Sequence, residues 1–229
     1  MKRPIQVISS MATRALLAEL VADYQRMAGI EVLLESVGGV AAEKRLRAGE
    51  AFDLVVLAAD AIDRLISDGR VPADGRFDLV HSQVAVAVPA GAERPDISNE
   101  AALRSALLAA ERIGYSTGPS GTQLLQLFER WGLTETLHAR LMQAPAGVPV
   151  AALLARGEVS LGFQQFSELM HQDGIQLLGA MPDPVQINTT FSAGCCAASA
   201  QPQAVRALLD FLRSPAAEAA KRRHGMTPA

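Results

Sequence analysis

Short apolar runs alternate along the chain with longer segments in which apolar residues recur every three or four positions. The runs predict buried β-strands, and the periodic segments predict amphipathic helices. Their alternation is typical of an α/β fold with a parallel sheet. Strands are predicted at Ile5–Ile8, Glu31–Ser36, Leu54–Ala58, Gln83–Pro89, Ile113–Tyr115, Leu161–Gln164, Ile175–Leu178 and Thr190–Ala197. Helices are predicted at Thr13–Met27, Val40–Ala48, Ala59–Asp68, Glu100–Ala109, Gly121–Trp131, Thr134–Ala139, Pro149–Arg156, Phe166–His171, Gln203–Leu212 and Pro215–His224.

Three of these strands pass into the following helix through small hydroxyl or glycine residues, at Ile5–Thr13, Glu31–Gly39 and Ile113–Thr122. Such a join leaves unpaired N–H groups at a helix N-terminus with hydroxyl groups beside them, which suits an anion. Three joins in one chain indicate one small anionic ligand that is held from several sides. The ligand-binding residues predicted from the joins are Ser9, Ser10, Met11, Gly38, Gly39, Ser116, Ser120, Gly121 and Thr122.

The first two joins also have an ordinary structural interpretation. Ser9 and Ser10 fit the N-cap of a helix. Gly38 and Gly39 fit a simple turn, and they allow a close backbone approach or a positive φ. In the third join, the N–H groups of Gly121 and Thr122 are predicted to open the helix as an anion-binding nest.

Composition narrows the class of ligand and partner. The chain is 49% hydrophobic and 4% aromatic, and its net charge of −3 comes with no long basic run, which argues against nucleic acid and anionic membranes as partners. No stretch approaches the roughly 20 apolar residues of a membrane span. No apolar signal segment follows Met1, so we expect either a cytoplasmic protein or a periplasmic one whose signal peptide was removed.

The sequence carries no motif for a metal or an organic cofactor, and none is expected. The cysteines, Cys195 and Cys196, are adjacent and have no neighbours at metal-ligand spacing. We interpret them as two small buried thiols in a strand.

The chain changes in composition near Arg76–Ser82 and again after the turn at Pro182–Pro184. These two places predict crossings between two lobes. The first lobe then comprises residues 1–81 plus 188–229, and the second comprises residues 82–187.

With the joins and crossings placed, the whole chain resembles the type II periplasmic solute-binding proteins, and within them the molybdate-binding group. The stretches that carry the resemblance are Ile5–Thr13, Arg47–Asp60, Tyr115–Thr122, Ala152–Gly162 and Val205–Thr227. The resemblance implies a two-lobed α/β fold with a ligand cleft between the lobes, which closes by a hinge motion. It also implies an ABC transporter permease as a partner, and we expect a monomer.

The molybdate-binding pattern implies a serine donor at each of the first two joins and a tyrosine after a later strand. Ser10 matches the first serine, but the second falls on Gly38 or Gly39 and the tyrosine falls near Gln165. Molybdate and tungstate are therefore not expected. The stretches GFQQFSEL, PAGAERPDIS and YSTGPSG resemble instead the branch that includes aconitate isomerase, which points to a di- or tricarboxylate.

Three further polar residues are predicted to bind this ligand. Gln164 and Gln165 end an apolar strand, and an amide can donate to a carboxylate, although hydrogen bonding to hinge backbone is an alternative. Ser82 lies at the first crossing, where the cleft wall is expected. Arg14 closely follows the first join, so it is the cation best placed to supply positive charge to a polycarboxylate. The alternative is that its side chain lies on a solvated face of the helix.

Two functions follow from this sequence. The first is a solute-binding protein that captures a small organic anion for an ABC transporter. The alternative is a cofactor-independent isomerase of the aconitate type, which moves an allylic proton and needs an acid and a base near the substrate carbon. The candidates for that role are His81, Tyr115 and Glu168, and the sequence does not select among them.

Overall fold

The computed structural model describes residues 3–229. The strands in this part of the chain are β1 (Ile5–Ser10), β2 (Val32–Val37), β3 (Leu54–Ala58), β4 (Arg76–Pro89), β5 (Ile113–Tyr115), β6 (Leu141–Gln143), β7 (Leu161–Gln165), β8 (Ile175–Ala180), β9 (Asn188–Cys195) and β10 (Met226–Pro228). The α-helices are α1 (Arg14–Ala28), α2 (Gly39–Arg47), α3 (Ala59–Ser67), α4 (Glu100–Ala109), α5 (Pro119–Arg130), α6 (Thr134–Leu137), α7 (Val150–Ala155), α8 (Phe166–Leu169), α9 (Pro202–Arg213) and α10 (Glu218–Arg223). Short 3₁₀ turns cover Met11–Thr13, His138–Arg140, Asp183–Val185 and Pro215–Ala217.

The predicted elements are present, with corrections at several ends. β4 begins at Arg76 rather than Gln83, because charged and polar residues interrupt the apolar ones in its first half, which therefore contains no long apolar run. β9 ends at Cys195 instead of Ala197. The predicted last helix is divided into a 3₁₀ turn and α10. β6 and β10 are three-residue strands and were missed because they are too short to show a period.

The chain divides into two compact units, and the boundaries fall inside β4 and β9. The first unit contains the residues up to His81 together with Thr190–Ala229, and the second contains Ser82–Thr189. Each unit has its own sheet strands and its own core.

In the first unit, β1 lies between β2 and β3 and runs parallel to both. β3 pairs with the antiparallel β9, and every residue of β3 is buried. One core cluster joins this sheet to α1 and α9, and another joins it to α2 and α3. Because β1, β2 and β3 are parallel, their carboxyl ends lie at the same edge of the sheet, and a turn or helix begins there after each strand.

In the second unit, β7 lies between β5, to which it is parallel, and β4, to which it is antiparallel. β6 extends the sheet next to β5, and β8 pairs with β4. One core cluster covers the face that packs against α4 and α5, and a second covers the face that packs against α7. The carboxyl ends of β5 and β7 therefore lie at the same edge as the start of this unit's part of β4.

Local sequence signals explain where the longer helices begin and end. α1 ends at Gly29, which has a left-handed φ of 63° that glycine adopts without strain. α4 begins after Asn99, whose side chain accepts a hydrogen bond from the amide of Ala102. None of the helices described in residues 3–229 has the length and hydropathy that a membrane-spanning helix needs.

Candidate functional site

The first join lies at the carboxyl edge of the first unit's sheet. Ser9 is paired in register with Ser36 of β2, and their hydroxyl oxygens are 2.8 Å apart. The Ser9 hydroxyl also lies 3.3 Å from the carbonyl oxygen of Ser10, to which it can donate. Ser9 is fully buried, so its hydroxyl serves to connect β1 with β2.

Ser10 is different, because its buried side-chain oxygen has no hydrogen-bond partner. It stands at the N-cap position of the 3₁₀ turn that follows, yet its side chain makes no capping hydrogen bond. The Ser10 carbonyl instead accepts a hydrogen bond from the hydroxyl of Thr13. The Ser10 hydroxyl therefore does not cap the helical turn, and it remains available to a ligand. Met11 follows it and is half-buried.

Of the two glycines of the second join, Gly39 lies next to Ser10. A Cβ on Gly39 would lie 3.8 Å from the Cβ of Ser10 and 3.9 Å from Leu57 Cδ2, which are ordinary contacts. Gly38 has a φ of −56°, and Gly39 is not among the residues with positive φ. The backbone therefore does not require glycine at either position, and the possibility of a positive φ is excluded. A Cβ would fit at Gly39 beside the Ser10 side chain, so glycine omits a side chain that this position has room for.

The cations near the first two joins are exposed or already paired. Arg14 is exposed at the first position of α1. Arg45 forms ion pairs with Glu35 and Glu50, and Arg47 forms one with Asp68. Lys44 is also exposed. The buried polar side chains of the first join, Ser9, Ser10 and Thr13, are hydroxyls and carry no charge.

In the second unit, Ser82 and Gln165 lie on the same face of the sheet. Gln165 is paired in register with Val84, and Ser82 precedes Val84 by two residues in β4, so all three side chains face the same side. Ser82 is fully buried and Gln165 is 3% exposed. The Ser82 side-chain oxygen and the Gln165 Oε1 both have no hydrogen-bond partner.

Gln164 faces the other side of β7, and its amide is used inside the unit. Its Oε1 accepts a hydrogen bond from the amide of Val150, the first residue of α7, at 2.8 Å. Its Nε2 donates to the Glu168 carboxylate, also at 2.8 Å. Gln164 therefore stabilises the start of α7, and it holds Glu168 in a hydrogen bond.

The third join provides hydroxyl groups but not the predicted amides. Ser116 and Ser120 hydroxyl oxygens are 3.0 Å apart. The amides of Gly121 and Thr122 both donate to the carbonyl of Gly118, because α5 begins two residues earlier than predicted, at Pro119. The prediction that these two amides open the helix toward an anion is therefore wrong.

Gly121 has a steric reason to be glycine. A Cβ at this position would lie 1.9 Å from the carbonyl oxygen of Ser116 and 3.2 Å from the ring of Tyr115. The absent side chain allows the loop after β5 to fold back onto α5. This close approach positions the two hydroxyls of Ser116 and Ser120 together.

The proposed acid–base residues have different surroundings. His81 is exposed, and its Nδ1 lies 3.0 Å from the hydroxyl of Thr190. Tyr115 is half-buried at the end of β5 and packs on the core next to α5. Because alternate residues of a strand face opposite sides, His81 does not share the face of β4 that carries Ser82.

Sequence reasoning missed two threonines in β9. The Gln165 Nε2 donates to the hydroxyl of Thr189 at 2.7 Å, and Thr189 is 5% exposed. Thr190, the next residue, is the partner of His81. A threonine in a strand carries no local signal of such a role, because its partner lies far away along the chain.

No metal site was found in the described part of the chain, which contains no group of three or more His, Cys, Asp or Glu residues arranged to hold an ion. Cys195 is half-buried, Cys196 is buried, and both are free thiols. Burial raises the pKa of the Cys196 thiol to about 12.

Comparison with known proteins gives consistent results. The family model for bacterial extracellular solute-binding proteins matches residues 5–227. An aconitate isomerase from Pseudomonas sp. is 36% identical over 98% of this chain and 87% of its own length. The molybdate-binding protein ModA of Escherichia coli (strain K12) is 19% identical over 97% of this chain and 88% of its own length.

A solved structure shares the fold. The periplasmic molybdate-binding protein of Azotobacter vinelandii matches with a TM-score of 0.80 and 17% identity, over 97% of this chain and 98% of that one. At this identity the likeness concerns the fold alone. It confirms the two-lobed α/β fold of the periplasmic binding proteins that the sequence predicts.

Proposed function

We propose that this chain, which belongs to the bacterial extracellular solute-binding protein family, binds a small organic di- or tricarboxylate through uncharged hydroxyl and amide groups. The groups that we propose for it are the hydroxyls of Ser10 in the first unit and Ser82 in the second, and the side-chain amide of Gln165 in the second. Ser116 and Ser120 add a hydroxyl pair in the second unit. Delivery of the bound anion to an ABC transporter outside the cytoplasm is part of this proposal.

One observation supports it above the others. Within residues 3–229, four buried side-chain atoms have no hydrogen-bond partner, and three of them belong to Ser10, Ser82 and Gln165. All three residues were predicted from the sequence as ligand donors. Since a buried polar group without a partner costs about 1–3 kcal/mol, three such groups at predicted positions favour a ligand that pairs with them.

The chemistry of these groups suits a carboxylate. Hydroxyl and amide groups donate hydrogen bonds to an anion, and the hydroxyls can also accept from a ligand hydroxyl. Fixed neutral dipoles stabilise negative charge without placing a cation in the site. The lack of a buried arginine at these positions is therefore compatible with an anionic ligand.

The preference for an organic acid over molybdate comes from Gly39 and Gln165. The second serine of the molybdate-binding pattern falls on Gly38 or Gly39, and Gly39 carries no side chain beside Ser10. The tyrosine of that pattern falls near Gln165. The identity to the aconitate isomerase, 36%, against 19% to the molybdate-binding protein, supports the same preference.

The identity of 36% also favours a second function, isomerisation of an unsaturated tricarboxylate. This reaction removes a proton from one allylic carbon, shifts the double bond and returns a proton to the other carbon. Tyr115 and His81 are the candidate acid and base for these two proton transfers. Glu168 is less suited, because its carboxylate is hydrogen-bonded to Gln164.

A ligand screen tests the proposed function. The full chain is heated in the presence of cis-aconitate, trans-aconitate, citrate, molybdate and sulfate, and the rise in melting temperature is recorded. A ligand that binds only the native state raises this temperature, and the rise grows with the logarithm of the ligand concentration divided by its dissociation constant. A rise with the carboxylates alone supports the proposal, and a rise with molybdate alone contradicts it.

The second function has its own readout. Proton NMR follows cis- and trans-aconitate incubated with the purified chain, and with the Tyr115→Phe and His81→Gln variants. If the natural chain interconverts the two isomers and one variant does not, the residue changed in that variant is the acid–base group. If the chain binds aconitate and does not interconvert its isomers, the receptor function is supported and the isomerase function is excluded.

A further inference from the structure

We infer that Thr189 is a positioning residue, whose hydroxyl holds the amide of Gln165 and allows it to present either a donor or an acceptor to the ligand. This inference rests on the proposed function, because it concerns Gln165 as a ligand-binding group. Thr189 lies outside the joins and strand ends where the sequence places the ligand donors.

The two residues form a buried hydrogen-bonded pair. Gln165 is the last residue of β7, Thr189 is in β9, and both belong to the second unit. They are 3% and 5% exposed, and their polar atoms are 2.7 Å apart. Water therefore does not compete for this hydrogen bond, and the bond fixes one end of the Gln165 amide.

The other end of the amide has no partner within the described residues. In the orientation that the structure has, Nε2 donates to the Thr189 hydroxyl and Oε1 is the unpartnered atom. Turning the amide by 180° about its last bond exchanges the two atoms with almost no change in shape. The Thr189 hydroxyl then donates to Oε1, and Nε2 becomes the free end.

A threonine hydroxyl can support both orientations, because it donates as well as accepts. With Oε1 free, Gln165 accepts a hydrogen bond and suits a hydroxyl or a protonated carboxyl group. With Nε2 free, it donates and suits a carboxylate anion. We infer that an ionised ligand selects the second orientation and that the Thr189 hydroxyl makes it available. Ser82, whose hydroxyl is also unpartnered and faces the same side of the sheet, gives the ligand a second contact.

The test is a double-mutant cycle on the full chain. The variants are Thr189→Val, which keeps the shape but removes the hydroxyl, Gln165→Met, and the two together. Affinity for trans-aconitate is measured by calorimetry, and melting temperature is measured alongside it. Thr189→Ser keeps the hydroxyl, and Thr227→Val replaces an exposed strand threonine as the matched control.

We expect Thr189→Val to weaken binding about tenfold in the natural background and less than about twofold in the Gln165→Met background. Thr189→Ser and Thr227→Val should bind like the natural chain. Equal weakening in both backgrounds would mean that Thr189 acts on the fold and not through Gln165, and would overturn the inference. Unchanged binding in Thr189→Val would also overturn it.

A failure of the proposed function can be distinguished from a failure of the inference about Thr189. If the natural chain binds molybdate or sulfate and no carboxylate, the proposed ligand is wrong, and the same cycle is run with the anion that binds. Binding of none of these anions by the natural chain would overturn both statements.

Discussion

The side chain of Ser10 lies beside Gly39, with 3.8 Å between the Ser10 Cβ and the position that a Cβ on Gly39 would take. A serine at position 39 would put a second hydroxyl beside Ser10 without a steric clash. Gly39→Ser should therefore weaken binding of a tricarboxylate about tenfold or more, because the added side chain occupies room that the larger ligand needs. Isothermal titration with trans-aconitate measures this.

The matched control for Gly39→Ser is Ala41→Ser, an exposed position in the same helix. It should leave the affinity unchanged. Neither variant should lose stability, since a Cβ on Gly39 makes only ordinary contacts. If Gly39→Ser binds the tricarboxylate as well as the natural chain does, the space beside Ser10 is not part of the site.

Ser82 and Ser192 are both fully buried, but only Ser192 has a hydrogen-bond partner, the carboxylate of Asp78 at 2.6 Å. Ser82→Ala removes a hydroxyl without a partner, so the free energy of unfolding of the unliganded chain should stay the same or rise by about 1 kcal/mol. Its affinity for trans-aconitate should fall about tenfold. Ser192→Ala should do the reverse, losing about 1 kcal/mol of stability and keeping its affinity.

Urea unfolding of both variants without ligand, followed by calorimetric titration, separates these effects. A loss of stability in Ser82→Ala would show that its hydroxyl has a structural partner. That result would remove Ser82 from the proposed donors.

Asp53 connects three parts of the first unit. Its carboxylate, 1% exposed, accepts hydrogen bonds from the amide of Gln6 and from the side chains of Ser199 and Gln201. Burial alone would raise the pKa of Asp53, but the hydrogen bonds from Gln6, Ser199 and Gln201 outweigh it and hold the pKa below its ordinary value of 3.8. The unfolded chain thus binds a proton at this group more readily than the folded chain does.

It follows that the contribution of Asp53 to stability is present above about pH 4 and is lost as the pH falls through the lowered folded pKa. Asp53→Asn should cost about 1–3 kcal/mol at neutral pH, because a charged acceptor of several hydrogen bonds is replaced. Chemical unfolding of both proteins from neutral pH to about pH 3 should show the difference shrinking in acid. A difference that stays constant with pH would contradict the role of the charge.

Gly121 should be intolerant of any side chain. Gly121→Ala places a Cβ 1.9 Å from the carbonyl oxygen of Ser116, so the loop after β5 must move. We expect a loss of about 1–3 kcal/mol in the free energy of unfolding. Gly118→Ala, where a Cβ would meet nothing within 4 Å, should be close to neutral in stability.

Circular dichroism of thermal and urea unfolding measures both glycine variants. Equal stability of Gly121→Ala and the natural chain would mean that the contact with Ser116 relaxes without cost. The pairing of the Ser116 and Ser120 hydroxyls would then not depend on this glycine.

The alternating pattern of the sequence was sufficient to predict most strands and helices, because each buried element covers a face whose period is visible locally. Ser10 was predicted as a ligand donor for the same kind of reason, since a serine at a strand–helix join carries a local signal. That its hydroxyl has no capping partner is visible only in three dimensions.

Gln164 and Gln165 show where sequence reasoning ends. They are adjacent and chemically identical, yet Gln164 stabilises the start of α7, whereas Gln165 is hydrogen-bonded to Thr189 on the face of the sheet that also carries Ser82. The difference is the alternation of faces along β7, which depends on the register with β4. Thr189 was missed because its partner lies 24 residues away in sequence.

The most direct test of the account is a calorimetric titration of the natural chain with trans-aconitate, run beside the same titration with molybdate. The account predicts saturable, one-to-one binding of trans-aconitate that is weakened in Ser10→Ala and in Ser82→Ala, with no heat of binding from molybdate. Binding of molybdate with none of trans-aconitate would contradict it.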